Sequence, residues 1–153
     1  MHTIKEQRVA ATRVCGVKVR TRNADERQPS SAKIGPMWQQ FFAEGFYEKI
    51  PGKQPESPVY GVYSGYESDA HGLFDVTAGV STPSPAQGFD SVVIEPGRYL
   101  VFEAHGPMPD AIIDAWERVW VYFEQPGVEA RAFVTDFEVY QADNQALIYI
   151  GIR

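Results

Sequence analysis

Apolar residues follow two different periods along this chain, and these periods predict its strands and helices. The stretch 9–20 alternates apolar, mostly valine, and polar residues, a period of two that is typical of a strand. Beyond a polar loop, apolar residues recur at the spacing of a helix face, and we expect Ser30 or Ser31 to cap this helix. The face carries Ile34, Met37, Trp38, Phe41, Phe42 and Gly45.

Two further strands follow the first helix. They span 59–67 and 73–81 and form a predicted hairpin around a short polar loop. The stretch 82–88 then contains two prolines and a glycine, which interrupt regular structure. We therefore expect the first half of the chain to end here.

The second half repeats the order of the first. A strand over 98–105 precedes a helix that begins after a proline-containing turn and ends at 125–127. A final hairpin pairs 132–141 with 146–152. The apolar stripe of this second helix is formed by Ile112, Trp116, Val119, Trp120 and Phe123.

The repeated order of strand, helix, strand, strand predicts an α+β fold built from duplicated βαββ halves. We expect one domain over 1–153, with pseudo-repeat halves at about 1–82 and 90–153 that are related by a pseudo-two-fold axis. Antiparallel sheets would carry helices on one side and leave a ligand cleft between the halves. The alternative is a generic α+β domain whose repeated order is a coincidence.

Composition narrows the functional classes. The chain has 153 residues and a formal net charge of −6, which disfavours nucleic acid as the main partner because phosphate binding needs a basic patch. An acidic cleft attracts cationic small molecules instead. Aromatic residues make up 13% of the chain, and their rings must lie in the core or in a ligand site. Cys15 is the only cysteine, which excludes an internal disulfide and predicts a small core residue.

Common catalytic motifs are missing from the sequence. It contains no G-x-S-x-G, no H-E-x-x-H, no phosphate-binding P-loop and no dinucleotide-binding glycine pattern. His71 lies near Asp69 and Asp75, but this spacing favours a polar hairpin loop over a metal site. His105 ends a strand, where a turn residue is favoured over an acid or base. We therefore expect no metal and no cofactor.

The sequence also carries no signal for membrane insertion. Its first residues lack the apolar segment of a signal peptide, and no apolar run approaches the about 18 residues that span a bilayer. We expect a cytoplasmic protein with no membrane partner.

A segment near the end of the chain is the most informative part of the sequence. Because successive side chains of a strand point to opposite faces, Asp136, Glu138 and Tyr140 share one face. We expect Phe137 and Val139 to point to the other face, into a core covered by the helices.

In the first half of the chain, a predicted strand carries residues equivalent to these on the face that points away from the core. The same alternation puts Gly61 and Tyr63 there, so that Tyr63, Tyr140 and Glu138 would line a groove where the two halves meet. No Lys or Arg lies within 133–140, so a cationic ligand would neutralise the carboxylate, and aromatic walls would add cation–π attraction. The alternative is an exposed glutamate on the solvated face of an antiparallel sheet.

Several features together resemble a known family. They are the sequence Phe137-Glu138-Val139-Tyr140, the tryptophan-bearing helices, the strand-to-helix passage from Gly97-Arg98-Tyr99 to Gly106, and the repeated order of elements. With these features nearly the whole chain resembles the GyrI-like effector-binding domain, which also occurs in AraC- and MerR-type multidrug regulators. The resemblance implies two βαββ halves around a ligand cleft, and a glutamate, Glu138, that meets the charge of lipophilic cationic drugs. Stand-alone members resemble drug-binding modules, some of them carried on integron gene cassettes.

We predict a binding module for lipophilic or aromatic cations. Glu138 is the expected charge partner, Tyr63 and Tyr140 are the expected ring walls, and Tyr66 and Trp120 are further expected ligand-binding residues. Helical spacing favours core positions for the tryptophans, Trp38, Trp116 and Trp120.

Two other functions stay open on the sequence. A hydrolase of reactive electrophilic small molecules would use Glu138 as a general base, with Tyr63 or Tyr140 bonded to a leaving oxygen. A protein-interaction module would antagonise gyrase inhibitors through an acidic surface. The chain begins almost at its first strand, which predicts no helix-turn-helix and no direct binding of DNA. A homodimer or a separate regulatory protein is left as the protein partner.

Overall fold

One antiparallel sheet carries the fold, and helices pack on one of its faces. The computed structural model describes residues 4–153. The strands are β1 Lys5–Val9, β2 Thr12–Thr21, β3 Val59–Ser64, β4 Phe74–Ser81, β5 Asp90–Ile94, β6 Gly97–His105, β7 Arg131–Ala142 and β8 Gln145–Ile152. The helices are α1 Asn23–Glu26, α2 Ile34–Ala43, α3 Phe46–Lys49 and α4 Asp110–Glu124. The eight strands lie in the order β1-β6-β8-β7-β3-β4-β2-β5.

The strand order confirms the predicted α+β fold and its internal repeat. The units β2-α2-β3-β4 and β6-α4-β7-β8 are the two βαββ halves. Each half also begins with a strand that the sequence did not predict, β1 in the first and β5 in the second. These strands are exchanged, because β1 pairs with β6 of the second half and β5 pairs with β2 of the first. Reading the sheet order backwards therefore interchanges the halves, as a two-fold axis requires.

The axis of this repeat passes between β3 and β7, at the centre of the sheet. Gly61 faces Glu138 across this antiparallel ladder, and Val62 faces Phe137. A two-fold rotation about the midpoint of the Gly61–Glu138 pair carries Tyr63 onto Tyr140. The predicted candidate residues of both halves thus meet at the axis.

The two longest helices pack on the same face of the sheet, each over the outer strands of its own half. Under α2, the buried side chains of Met37 and Phe41 contact residues of β2 and β4. Under α4, Ile112, Ala115 and Val119 contact residues of β6 and β8. Full burial of one such apolar side chain contributes about 1.5–3 kcal/mol, so this packing fixes each helix to its half.

The opposite face of the sheet corrects one expectation. Phe137 and Val139 were expected beneath the helices, but they belong to a separate core cluster to which no helix contributes among residues 4–153. Phe137 stacks on Tyr149, with 4.4 Å between ring centroids, and β5 curls over this face to contact β3 and β7. Alternation separates the two faces of a strand, but it does not show which face the helices cover. Glu138 consequently lies on the helix side.

The N-terminus of α2 corrects a second expectation, since neither Ser30 nor Ser31 caps it. The Ser31 hydroxyl donates instead to a backbone carbonyl of α1. The carboxylate of Glu26, in α1, accepts hydrogen bonds from the backbone N–H of Lys33 at 2.8 Å and of Ile34 at 3.1 Å, and from the Thr21 hydroxyl at 2.6 Å. A single acidic side chain therefore connects the end of β2 to the start of α2.

Helix length also bears on membrane association. Among the described residues, none of the helices is long and apolar enough to cross a membrane.

Candidate functional site

The candidate site is built around Glu138, at the middle of the sheet. Its side chain is only 3% exposed, although it is a carboxylate. The space that it occupies exists because its partner across the ladder is a glycine: a Cβ atom on Gly61 would lie 2.8 Å from Glu138 Oε1 and 3.0 Å from Trp38 Cζ2. Strand pairing thus places a large acidic side chain opposite a residue with no side chain.

Neutral donors hold the carboxylate of Glu138. Its Oε2 atom accepts hydrogen bonds from the Tyr63 hydroxyl at 2.8 Å and from the Trp116 indole Nε1 at 2.7 Å. Its Oε1 atom accepts one from the Tyr140 hydroxyl at 2.8 Å. Because each carboxylate oxygen accepts about two hydrogen bonds, Oε2 is saturated by these contacts and Oε1 retains one acceptor position.

Burial governs the electrostatics of this cluster. Desolvation raises the pKa of Glu138, and the hydrogen bonds from Trp116, Tyr140 and Tyr63 offset only part of that rise. Burial and the adjacent carboxylate also raise the pKa of Tyr63 and of Tyr140, so both phenols remain protonated donors. Within residues 4–153, no Lys or Arg forms an ion pair with Glu138.

Aromatic rings surround the carboxylate in two sets that the two-fold axis relates. In one set, Trp116 of α4 packs on Tyr63 of β3, with 4.9 Å between ring centroids. In the other, Trp38 of α2 packs on Tyr140 of β7 at 5.3 Å. Each helix of one half thus places a tryptophan on the central tyrosine strand of the other half.

A second ring lies outside each tryptophan, one helical turn further along. Phe42 stacks on Trp38 with 5.9 Å between centroids and an interplanar angle of 22°. Trp120 packs on Trp116 at 6.2 Å. Phe42 is 62% exposed, whereas Trp120 is half-buried. Six rings in total flank one buried carboxylate, three on each side of the axis.

A second buried carboxylate lies two residues before Glu138 and has a different environment. Asp136 is fully buried and forms an ion pair with Arg131 at 2.7 Å. It also accepts hydrogen bonds from the Tyr66 hydroxyl and from the backbone N–H of Gly151. Asp136 is therefore neutralised within the protein, which Glu138 is not.

The structure brings most of the predicted site residues together. Glu138, Tyr63 and Tyr140 form one hydrogen-bonded cluster, and Trp120 lies one ring away from it. Tyr66 is directed to Asp136 instead of Glu138. Their roles toward a ligand stay predictions at this point.

Sequence reasoning assigned two important rings only to the core. Trp116 donates directly to Glu138, and Trp38 covers Gly61 beside it. The available signal was their matching place in the two helices, since Trp38-x-x-Phe41 and Trp116-x-x-Val119 align in the repeat. Spacing alone does not show where an indole N–H points.

We also searched the rest of the described surface for a ligand cavity or a metal site. A shallow hollow of about 380 Å³ lies on the outer side of α4, around Val121 and Tyr122, apart from Glu138. In the part of the chain that the structure describes, no group of three or more His, Cys, Asp or Glu side chains is placed to hold a metal ion.

Comparison with known families decides the classification. Residues 7–152 match the family model of integron-associated effector binding proteins. The chain belongs to this family. It is therefore an effector-binding protein, a small-molecule-binding module whose candidate site has just been described.

Solved structures agree with this classification. The effector-binding protein is 37% identical to an integron cassette protein from the mobile metagenome of Vibrio cholerae, with a TM-score of 0.84 over 98% of this chain and 95% of that one. It shares its fold with SAV2435, solved bound to tetraphenylphosphonium, at 22% identity, a TM-score of 0.81 and coverage of 99% and 94%. It also shares its fold with a putative transcription regulation protein from Staphylococcus aureus MU50, at 21% identity, a TM-score of 0.79 and coverage of 99% and 98%. No protein with a curated function matches the sequence.

Proposed function

We propose that this effector-binding protein binds lipophilic aromatic cations, and that the carboxylate of Glu138 pairs with their positive charge. One observation supports this above all others. Of two buried carboxylates on the same face of β7, Asp136 has an arginine partner at 2.7 Å, whereas Glu138 has only neutral hydrogen-bond donors. A cationic ligand would supply the positive partner that Glu138 lacks.

The energetics favour a cation that is both large and apolar. A buried carboxylate without a positive partner is costly, and a ligand cation removes that cost. Each aromatic ring adjacent to the cation adds about 0.5–2 kcal/mol of cation–π attraction. Burial of about 200 Å² of apolar ligand surface adds about 5 kcal/mol at ~25 cal/mol/Å². After the costs of association, affinities of about micromolar are expected.

The ligand-binding residues follow from the two ring sets. Glu138 is the proposed charge partner, and Tyr63 and Tyr140 are the proposed inner walls. Trp120 forms an outer wall on the α4 side. Tyr66 is proposed to lie farther from the bound charge, because its hydroxyl donates to Asp136 and not to Glu138.

A fold relative suggests the first probe. SAV2435 was solved bound to tetraphenylphosphonium, a cation with four phenyl rings and no hydrogen-bond donor. The same compound suits a site whose carboxylate already accepts three hydrogen bonds. Because the charge of tetraphenylphosphonium is permanent, any dependence of its affinity on pH reflects protonation of the protein alone.

The test is a titration with tetraphenylphosphonium, followed by tryptophan fluorescence. Glu138→Gln preserves the shape of the side chain and removes its charge, and we expect the affinity to fall by about 10- to 100-fold. Glu117→Gln is the matched control, because it removes one negative charge from an exposed position of α4. Triphenylphosphine oxide, which is neutral and carries three phenyl rings, is expected to bind far more weakly than the cation.

Two outcomes would contradict the proposal. One is an affinity that stays unchanged in Glu138→Gln. The other is equal binding of the neutral oxide and the cation, since this would mean that the site recognises rings without charge.

The other sequence-based functions stay predictions. For a hydrolase, the hydroxyl of either Tyr63 or Tyr140 was expected to contact a leaving oxygen, whereas both hydroxyls donate to Glu138 in the structure. Turnover of an electrophilic substrate that Glu138→Gln abolishes would favour the hydrolase. A partner protein retained by both forms would favour the interaction module. A cytoplasmic location, the absence of direct DNA binding and a homodimer or separate regulatory partner are further parts of the proposal.

A further inference from the structure

The two-fold arrangement of rings around Glu138 is broken at one hydrogen bond. Tyr63 and Tyr140, which the axis relates, donate to opposite oxygens of the carboxylate. Trp116 donates its indole N–H to Oε2. Its symmetry equivalent, Trp38, would complete the set at Oε1, yet among the described residues Glu138 accepts no hydrogen bond from it. The acceptor position left on the carboxylate therefore faces the Trp38 side.

The α4 side of the site is the more firmly held. Trp116 is bonded to Glu138, and its helix has fifteen residues with Ile112, Ala115 and Val119 buried beneath it. Trp120 covers the outer face of Trp116 and is itself half-buried. Opening the site here would break a hydrogen bond to a buried carboxylate.

Among the described residues, no side chain of α2 donates a hydrogen bond to the carboxylate of Glu138, and fewer residues are buried in α2 than in α4. Helix α2 has ten residues, and only Met37 and Phe41 are buried. Trp38 is half-buried and packs edge-on against Tyr140, and its outer neighbour Phe42 is 62% exposed. Rotation of Trp38 here breaks no hydrogen bond to Glu138 and uncovers Oε1 beside Gly61.

We infer that the cation reaches Glu138 from the α2 side, against Oε1, and that Trp38 and Phe42 are the residues that determine which cations fit. The inference rests on the proposed cation-binding function. The displaced Trp38 ring and the exposed face of Phe42 form a two-ring platform, which suits cations that carry several aromatic rings. Trp116 and Tyr63 hold the carboxylate in place on the opposite side.

The pseudo-symmetry supplies matched variants for the test. Trp38→Ala and Trp116→Ala remove equivalent rings from the two sides. Two permanent cations of equal charge serve as probes, tetraphenylphosphonium with four rings and benzyltrimethylammonium with one. Stopped-flow tryptophan fluorescence gives association rates, and calorimetry gives affinities.

The inference predicts different results for the two variants. Trp38→Ala is expected to speed association of tetraphenylphosphonium about tenfold and to change its preference over benzyltrimethylammonium about tenfold. Trp116→Ala is expected to weaken both cations by a similar factor, because it removes a hydrogen bond that fixes the carboxylate. Phe42→Ala changes an exposed residue and keeps the fold, and it is expected to weaken tetraphenylphosphonium about fivefold and benzyltrimethylammonium little.

The opposite pattern would overturn the inference. If Trp116→Ala changes the association rate and the preference while Trp38→Ala and Phe42→Ala do not, the cation enters from the α4 side. If all three variants affect both probes alike, neither side determines the ligand. Both of these results leave the proposed function standing when Glu138→Gln still weakens the binding of tetraphenylphosphonium by about 10- to 100-fold. If the unaltered protein binds neither cation, the proposed function and the inference fail together.

Discussion

Gly61 and Glu138 face each other across the β3–β7 ladder, and a Cβ atom added to the glycine would lie 2.8 Å from the glutamate Oε1 atom. The same atom would lie 3.0 Å from Trp38. Position 61 therefore determines how closely the two halves, the carboxylate and the α2 tryptophan can approach one another.

Gly61→Ala is expected to destabilise the protein and weaken cation binding. The added methyl group forces Glu138 or Trp38 to move within a packed site, and such overpacking costs about 1–3 kcal/mol. Thermal unfolding measures the stability, and fluorescence titration measures the affinity for tetraphenylphosphonium. Gly35→Ala is the control, because nothing lies within 4 Å of a Cβ at that helical position. A Gly61→Ala protein with unchanged stability and affinity would show that the close approach has no consequence.

Cation affinity is expected to depend on pH through Glu138. Burial raises the pKa of this carboxyl above its usual 4.5, and only the ionised form pairs with a cation. Affinity for tetraphenylphosphonium is therefore full above the raised pKa and decreases as the pH falls through it, about tenfold per pH unit below. Titrations between pH 4 and pH 8 measure the midpoint, for which the flat profile of Glu138→Gln is the reference. A midpoint at or below 4.5 would contradict the environment described for Glu138.

The stability of the free protein is expected to change with pH in the other direction. A carboxyl whose pKa is raised on folding contributes stability that is present below 4.5 and is lost as the pH rises through the folded-state pKa. Glu138→Gln removes this loss, so the variant gains in melting temperature relative to the unaltered protein as the pH rises. A difference in melting temperature that stays constant with pH would show that Glu138 does not titrate in this range.

Arg131→Met is expected to destabilise the protein strongly. It leaves Asp136, which is fully buried, without its positive partner, and breaking a buried ion pair in this way costs about 3–5 kcal/mol. Adding Asp136→Asn removes the stranded charge and is expected to restore part of the loss. Denaturant unfolding measures both variants. Arg98→Met breaks an exposed pair with Glu6 and is expected to change stability little. Equal losses for the two arginine variants would contradict the structural role given to Arg131.

Glu26→Ala is expected to loosen the start of α2. The substitution removes the acceptor for two backbone N–H groups, and loss of a helix cap costs about 1–2 kcal/mol. Because α2 carries Trp38, cation binding is expected to change as well. Unfolding and fluorescence titration measure the two effects. Glu44→Ala, at the exposed end of the same helix, is the control and is expected to leave both unchanged.

The sequence predicted most of the central elements because their patterns are local. The helix face that contains Trp38 and the final hairpin around 142–145 are visible as periods of apolar residues. The edge strands β1 and β5 were not predicted. Each has only five residues, β1 is mostly charged or polar, and each owes its strand form to pairing with a distant part of the chain. The pattern of apolar residues within a short segment cannot predict its pairing with a distant strand.

The site was predicted in part for the same reason. Alternation along two strands was enough to place Glu138, Tyr63 and Tyr140 on one face. The hydrogen bond from Trp116 depends on how α4 lies across the sheet, which is a tertiary property. The distinction between Glu138 and Asp136 depends on Arg131, which returns to the strand face past an irregular stretch of β7. The spacing of residues in the sequence therefore predicts neither the hydrogen bond from Trp116 nor the ion pair of Arg131 with Asp136.

The axis between Gly61 and Glu138 explains why this architecture benefits from a single polypeptide. Two identical chains assembled about the same axis would carry the same residue at both positions. Paired glutamates would crowd two negative charges together, and paired glycines would provide none. Covalent linkage allows the two positions to differ, so that a single carboxylate stands at the centre, opposite a residue with no side chain.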